Sequence, residues 1–268
     1  MRHAWLIIAH NEFDILQMLV SALDDSESDF YIHIDKKVKI VPSIRAKKGR
    51  IEILKDRIDA RWGDVSLIKA EFALFEAAVN KGNYSYYHIV SGTTLPLKSV
   101  ADINVFFSSV GGKSVVTGLS MDDSYQETLK CHRYNLFIRN MNSSSVVCRR
   151  VSQFFWKVSI AVQRMLNIYT NKEKTFYKAS QWLSLTKEAA ELLVSRKDKI
   201  LKTYRWSFCG DEYFVPSELM DSPLKEEVYN SDNYLMHTMG RANAGTYHLS
   251  EWEELSKTDY LFARKFTR

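Results

Sequence analysis

Breakers and cross-links are scarce: four prolines, ten glycines and three cysteines in 268 residues. So few prolines and glycines leave no stretch that reads as an interdomain linker, and a single domain is expected over residues 1–268. Cys131, Cys148 and Cys209 are odd in number and have no metal-ligand spacing, which points to a reducing, cytosolic compartment. No run approaches the roughly 18 apolar residues that a bilayer span needs. The opening "MRHAWLIIAHNE" is too short in apolar length, and lacks the cleavage site, to be a signal peptide. Neither charge dominates: 37 Lys and Arg stand against 32 Asp and Glu, a net +5. That balance suits an anionic ligand or an anionic membrane and does not demand nucleic acid. Phosphate loops are absent as well. Neither GxGxxG nor GxxxxGK occurs, which removes most of the case for dinucleotide-binding and P-loop chemistry.

What is present is a hydrophobic share of 46% and an aromatic share of 13%, enough for a sizeable core. "AWLIIAH" reads as a buried first strand ending at the polar pair His10-Asn11. Ile15, Leu16, Leu19, Val20 and Leu23 then share one face of a helix, with Asn11 expected as its cap and Asp14 three residues on. "FYIHID" is a second strand ending at Asp35, and "IEIL" a third. Val65, Ile68, Phe72, Phe75 and Val79 step by three and four, which predicts a helix packing one stripe on a sheet. "SYYHIVSG" and "KSVVTG" are further strands. This alternation over residues 1–120 implies an α/β fold with a mainly parallel sheet flanked by helices. Ligands of such sheets sit at the carboxyl ends of the strands, here marked by His10, Asn11, Asp35 and Ser91 to Thr94.

Beyond residue 120 the pattern is helical and basic. Within 146–178, Arg149, Arg150, Lys157, Arg164, Lys172, Lys174 and Lys178 face one acid, Glu173. Val151, Phe154, Val158, Val162 and Met165 share an apolar face along the same stretch. Two readings stand: a cationic helix packed on the domain, or a surface that rests on anionic lipid. Nucleic acid is disfavoured, because the cations share a helix with an apolar stripe and no recognisable nucleic-acid module is present. "QWLSLT" reads as a strand and 187–197 as a helix. "GDEYFVPSEL" opens another helix, with Asp211 and Glu212 in its first turn. The last segment, "YLFARKFTR", alternates aromatics with cations: Phe262 and Phe266 call for burial, Arg264 and Lys265 for an anion.

Seven strings in order, "LIIAHNE", "YIHIDKK", "RWGDVSLIKAE", "YYHIVSGTTLPLK", "SQWLSLTKE", "GDEYF" and "LFARKF", resemble the core-2/I-branching β-1,6-N-acetylglucosaminyltransferases and their bacterial relatives, a group related to peptide O-xylosyltransferases. The resemblance runs from residue 3 to 266. It implies a GT-A-like fold, a UDP-sugar donor, inversion at the anomeric carbon, and no metal or other cofactor. Residues 1–120 would form the nucleotide-sugar half and 121–268 the acceptor-binding, catalytic half. The place of the usual Asp-x-Asp metal motif reads "TTLPLK"; the nearest acidic pair, Asp122-Asp123, reads as loop or acceptor surface. The short length and missing anchor are similar to bacterial members, which implies a cytoplasmic protein, peripheral on the inner face of the plasma membrane.

Residue by residue, the resemblance makes Glu212 the base, from the Glu of a "PDE" motif in which Gly210 here replaces the proline. Lys265 and Arg241, with Arg264 as the fallback, would stabilise the departing diphosphate. His10 and Asp35 match the positions that hold the nucleoside, and Arg61 and Trp62 lie in the matching "RWG" turn. Arg133 and Trp182 are the acceptor candidates. Thr94 stands where relatives commonly carry Asp. The expected activity is transfer of N-acetylglucosamine or xylose to a glycan or lipid-linked glycan in surface polysaccharide synthesis. The alternative, motivated by Thr94 and Gly210, is a catalytically silent sugar- or nucleotide-binding protein.

Overall fold

A computed structural model describes residues 1–121, 125–237 and 245–268. Its strands, in chain order, are β1 (His3–Ala9), β2 (Ser28–Ile34), β3 (Ile51–Ile53), β4 (Tyr86–Ser91), β5 (Leu95–Pro96), β6 (Ser114–Val116) and β7 (Ser120–Met121). There follow β8 (Tyr177–Lys178), β9 (Leu183–Thr186), β10 (Val228–Asn230), β11 (Leu235–His237), β12 (Tyr247–His248), β13 (Phe262–Arg264) and β14 (Phe266–Thr267). The helices that matter here are α1 (Phe13–Leu23), α2 (Ser66–Lys81), α3 (Val100–Ser109), α4 (Tyr125–Cys131), α5 (Val146–Met165), α6 (Lys187–Ser195), α7 (Lys197–Thr203) and α8 (Phe214–Met220).

Seven strands form the main sheet in the order β10-β6-β9-β4-β1-β2-β3, parallel except for β9. This is the mainly parallel, helix-covered α/β sheet that the alternating pattern predicts, as expected of a GT-A-like domain. β1, β2 and β4 are buried at every residue, which is how strands covered on both faces read. α2 lays Ile68, Phe72, Phe75 and Ala78 into the core, the face its three-and-four spacing marks. A buried polar chain pins three strands together. The His3 and His88 rings meet at 2.8 Å, and His88 Nδ1 lies 2.7 Å from Ser184 Oγ. Burial holds both imidazoles below their ordinary pKa, so the chain is neutral.

The aromatic-cation tail is a built part of the fold. β13 runs antiparallel to β5 and parallel to β11, so it is threaded between the loop after β4 and the chain after residue 234. Phe262 and Phe266 are buried, and the Phe266 N–H donates to the Thr93 carbonyl at 2.8 Å. Two local expectations change. Asn11 does not cap α1: the cap position is Glu12, in the left-handed region at φ 50, without a side-chain cap. The Glu12 carboxylate instead accepts from the Thr267 hydroxyl at 3.2 Å, so the tail meets the start of α1. Asp211 and Glu212 lie in a single 3-10 turn, Gly210–Glu212, ahead of α8 rather than in its first turn. The reason is local: Cys209 adopts φ 55, and the Tyr213 N–H returns to the Gly210 carbonyl, which closes a tight turn.

Candidate active site

The strand order reverses about β1: the chain leaves β1 for β2 and β3 on one side and reaches β4 on the other. Ligand crevices of α/β sheets form at such a switch point, outside the carboxyl ends of the strands. His10 and Gly92 stand at this point. The backbones come so close that a Cβ on Gly92 would lie 2.6 Å from Ala9 Cβ, so only glycine fits. β9 runs the other way and therefore begins at this edge, bringing Gln181 and Trp182 to it.

Asp35, just past β2, is buried and fully engaged. Its carboxylate accepts from the Lys37 N–H and Nζ, both at 2.8 Å, and from the Ala60 N–H at 3.2 Å. Lys37 Nζ also donates to Asp59 at 2.8 Å, and Arg61 donates to Asp59 through Nε and a terminal nitrogen, at 2.9 and 2.8 Å. Held by Lys37 first and Arg61 next, the Asp59 carboxyl sits well below the usual range. Beside this network Trp62 is half exposed, with its ring edge-on to Phe208 at 5.2 Å. Gly63, at φ 74, turns the chain under that ring, where a Cβ would strike Phe208. Burial depresses the His10 pKa; the opposing carboxylate of Asp35 and the positive charges of Lys37, Lys265 and Arg264 also act on it. These groups therefore share one field.

The tail supplies the cations. The Arg264 guanidinium lies over the Trp182 ring at 4.5 Å, and burial pulls it down to about 10, so it stays charged at neutral pH. Burial, then the charge of Arg264, holds the Lys265 ammonium below its ordinary value. Among the described residues neither cation forms an ion pair with a carboxylate, and Arg264 Nε has no partner.

The Glu212 turn adjoins these groups. The Cys209 N–H donates to the Gly63 carbonyl at 2.9 Å, tying it to the Trp62 turn. The Ala179 N–H donates to the Glu212 carbonyl at 3.0 Å, three residues before the tryptophan under Arg264. Three extended residues span roughly 10 Å, which bounds the backbone separation of Ala179 and Trp182. Lys130 and Lys178 approach Glu212 Oε2 at 3.4 and 3.7 Å, and Oε1 has no described hydrogen bond. Both lysines thus lie on the same carboxylate oxygen. Its neighbour Asp211 is buried, with Oδ1 unpartnered, and burial plus the charge of Glu212 push it up to about 7. Next to it lies Glu71 of α2, also raised by burial and by Asp211, and hydrogen-bonded by Gln181 at 2.6 Å.

His10, Asp35, Arg61, Trp62, Trp182, Glu212 and Lys265 are thus gathered at one edge. Arg133 is not among them: it is buried, donates to the Gln163 carbonyl at 3.0 Å and to that of Ile168, and lies over Tyr169 at 3.7 Å. It fastens the end of α5. Arg241 and the Asp122-Asp123 pair lie outside the described residues. Lys37 and Asp59 escaped the sequence reading, although the "DKK" string carried the signal for Lys37. Lys130 and Lys178 had no local signal at all. Among the described residues no group of three or more His, Cys, Asp or Glu is placed to hold a metal ion.

The core-2/I-branching enzyme model matches residues 3–260. The chain belongs to that family. Its activity is therefore glycosyl transfer, which needs a sugar donor and a glycan acceptor. The solved apo structure of mouse xyloside xylosyltransferase 1 is similar at a TM-score of 0.41 and 11% identity, over 89% of this chain and 88% of that one. No curated protein sequence matches at a significant level.

Proposed function

We propose that the chain transfers N-acetylglucosamine or xylose from a UDP donor to a glycan acceptor, with inversion and without a metal ion. The observation that carries this reading is the pair of partly buried cations, Arg264 and Lys265, which have no ion-pair partner among the described residues and stand at the switch point of the sheet. Charges withdrawn from water need a counter-ion, and a diphosphate is a fitting one. Glu212 Oε1 takes the proton of the acceptor hydroxyl as its oxygen attacks the anomeric carbon. The bond to the diphosphate oxygen breaks, and its electron pair leaves as charge on UDP, opposite Lys265 and Arg264. His10 and the Trp62 ring border the nucleoside, while Asp35, through Lys37, holds the loop that carries Arg61. Trp182 positions Arg264, and the acceptor is a glycan of surface polysaccharide synthesis.

UDP release from UDP-N-acetylglucosamine and UDP-xylose, in EDTA and in added manganese, tests this. Turnover should persist in EDTA. Glu212→Gln should keep UDP binding and lose roughly 100- to 10,000-fold in kcat, and Lys265→Ala should lose roughly 30- to 1000-fold. Activity that requires manganese would overturn the cation mechanism, and UDP binding without turnover of either sugar would favour the silent binding protein.

A further inference from the structure

α5 is mounted inside out. Its protein-facing side is polar: Gln163 exchanges two hydrogen bonds with the Tyr134 backbone, both 2.9 Å, and Ser152 donates to the Phe137 carbonyl. Trp156 adds a bond to Asn135 Oδ1 at 2.9 Å. The apolar stripe faces away, with Phe154 61% and Met165 78% exposed and Val147, Val151 and Val158 exposed beside them. Among the described residues the exposed large apolar side chains concentrate on this helix and its flanks, where Phe137 packs on Phe155 at 5.6 Å. Along one border of the stripe run Arg150, Lys157 and Arg164, one row at seven-residue spacing, all exposed. No acid occurs between Val146 and Leu166, and no described carboxylate forms an ion pair with the row.

We propose that this face of α5 docks on an anionic lipid surface. An apolar stripe of about 30 Å with a cationic border matches acyl chains beside anionic headgroups. The helix lies on the membrane, since no described helix is long and apolar enough to cross one. A second copy fits poorly, because in a two-fold pairing of this face neither helix offers an acid to the other's cationic row. The helix also adjoins the candidate site: Trp156 meets Phe208 at 6.1 Å, and Phe208 meets Trp62. Under the transfer reaction proposed above, docking presents that edge to acceptors held at the membrane; the docking test does not depend on the reaction.

The full chain is sedimented with vesicles of phosphatidylcholine alone and with vesicles about a third phosphatidylglycerol, at low and raised salt. Binding should favour the anionic vesicles and weaken with salt. Arg150→Glu with Lys157→Glu and Arg164→Glu should cut partitioning by more than about 100-fold, at about fivefold or more per cation. Phe154→Asp with Val158→Asp should also abolish it. Both sets change exposed positions, so thermal unfolding and UDP-sugar turnover should stay as in the wild type. Equal binding to both vesicle types overturns the proposal, as does wild-type binding by the Phe154 and Val158 variant. A wild-type dimer that this variant dissociates, with no vesicle binding, would assign the face to a second copy instead.

Discussion

α2 and α5 are both amphipathic, and they turn opposite sides to the protein. α2 presses Phe72 and Phe75 into the sheet and is mostly apolar where it is buried, with Ser66 at its start polar and Glu71 its one buried ionisable side chain. α5 buries Ser152, Ile160 and Gln163 and leaves Phe154 and Val158 in the open. The neighbours account for the difference. Beneath α2 lie strands whose inward positions are apolar, so burial there removes hydrocarbon from water. Beneath α5 lies the irregular stretch from Tyr134 to Phe137, whose backbone groups need partners, and Gln163 and Ser152 supply them. Amphipathic spacing therefore defines a stripe, and the adjoining surface decides whether the stripe points in.

The largest expected effect contrasts the two stripes directly. Phe72→Ala should lose about 3–5 kcal/mol in denaturant unfolding, while Phe154→Ala should stay within about 0.5 kcal/mol. A comparable loss from Phe154→Ala would mean that α5 turns its stripe inward.

The buried ionisable side chain of α2 predicts a pH effect. Asp211, beside Glu71, is raised from 3.8 to about 7. A carboxyl raised by folding binds more protons when native, so stability falls as pH rises from about 4 to about 7. Asp211→Asn should flatten that slope and gain roughly 2–4 kcal/mol at pH 8. An unchanged slope would show that Asp211 ionises as freely in the folded protein as in the unfolded one.

The smallest effect sharpens the other side. Gln163→Ala strips the polar face of α5 of its clamp on Tyr134 and should cost about 1–3 kcal/mol, read as a lowered Tm. A silent Gln163→Ala would mean that α5 is held by something other than its polar face.

Much of this could be read from the chain. The continuous apolar runs of β1, β2 and β4 show in sequence because a strand covered on both faces has no polar side to interrupt it. His10 and Asp35 were legible as the first polar residues after such runs, and Phe262 and Phe266 as aromatics that a loose end would not carry. The resemblance singled out Glu212, but its surroundings were illegible. Lys130 and Lys178 reach it from distant parts of the chain, and the burial of Asp211 depends on α2 lying alongside. Arg133, an acceptor candidate in the sequence, is buried and donates to a carbonyl near the end of a helix thirty residues on, a contact that no local pattern announces.

The sequence by itself determined the class of sheet, the placing of polar residues at its carboxyl edge and the family, since all three follow from local order along the chain. The tertiary structure decided which charges pair and which stand free. Asp35 is satisfied by Lys37, Glu212 is approached by two lysines on one oxygen, and Arg264 and Lys265 are brought beside His10 without a carboxylate partner among the described residues. It also decided that the stripe of α5 faces outward. Pairing and facing are set by packing between segments far apart in the chain, and no local pattern carries that distance.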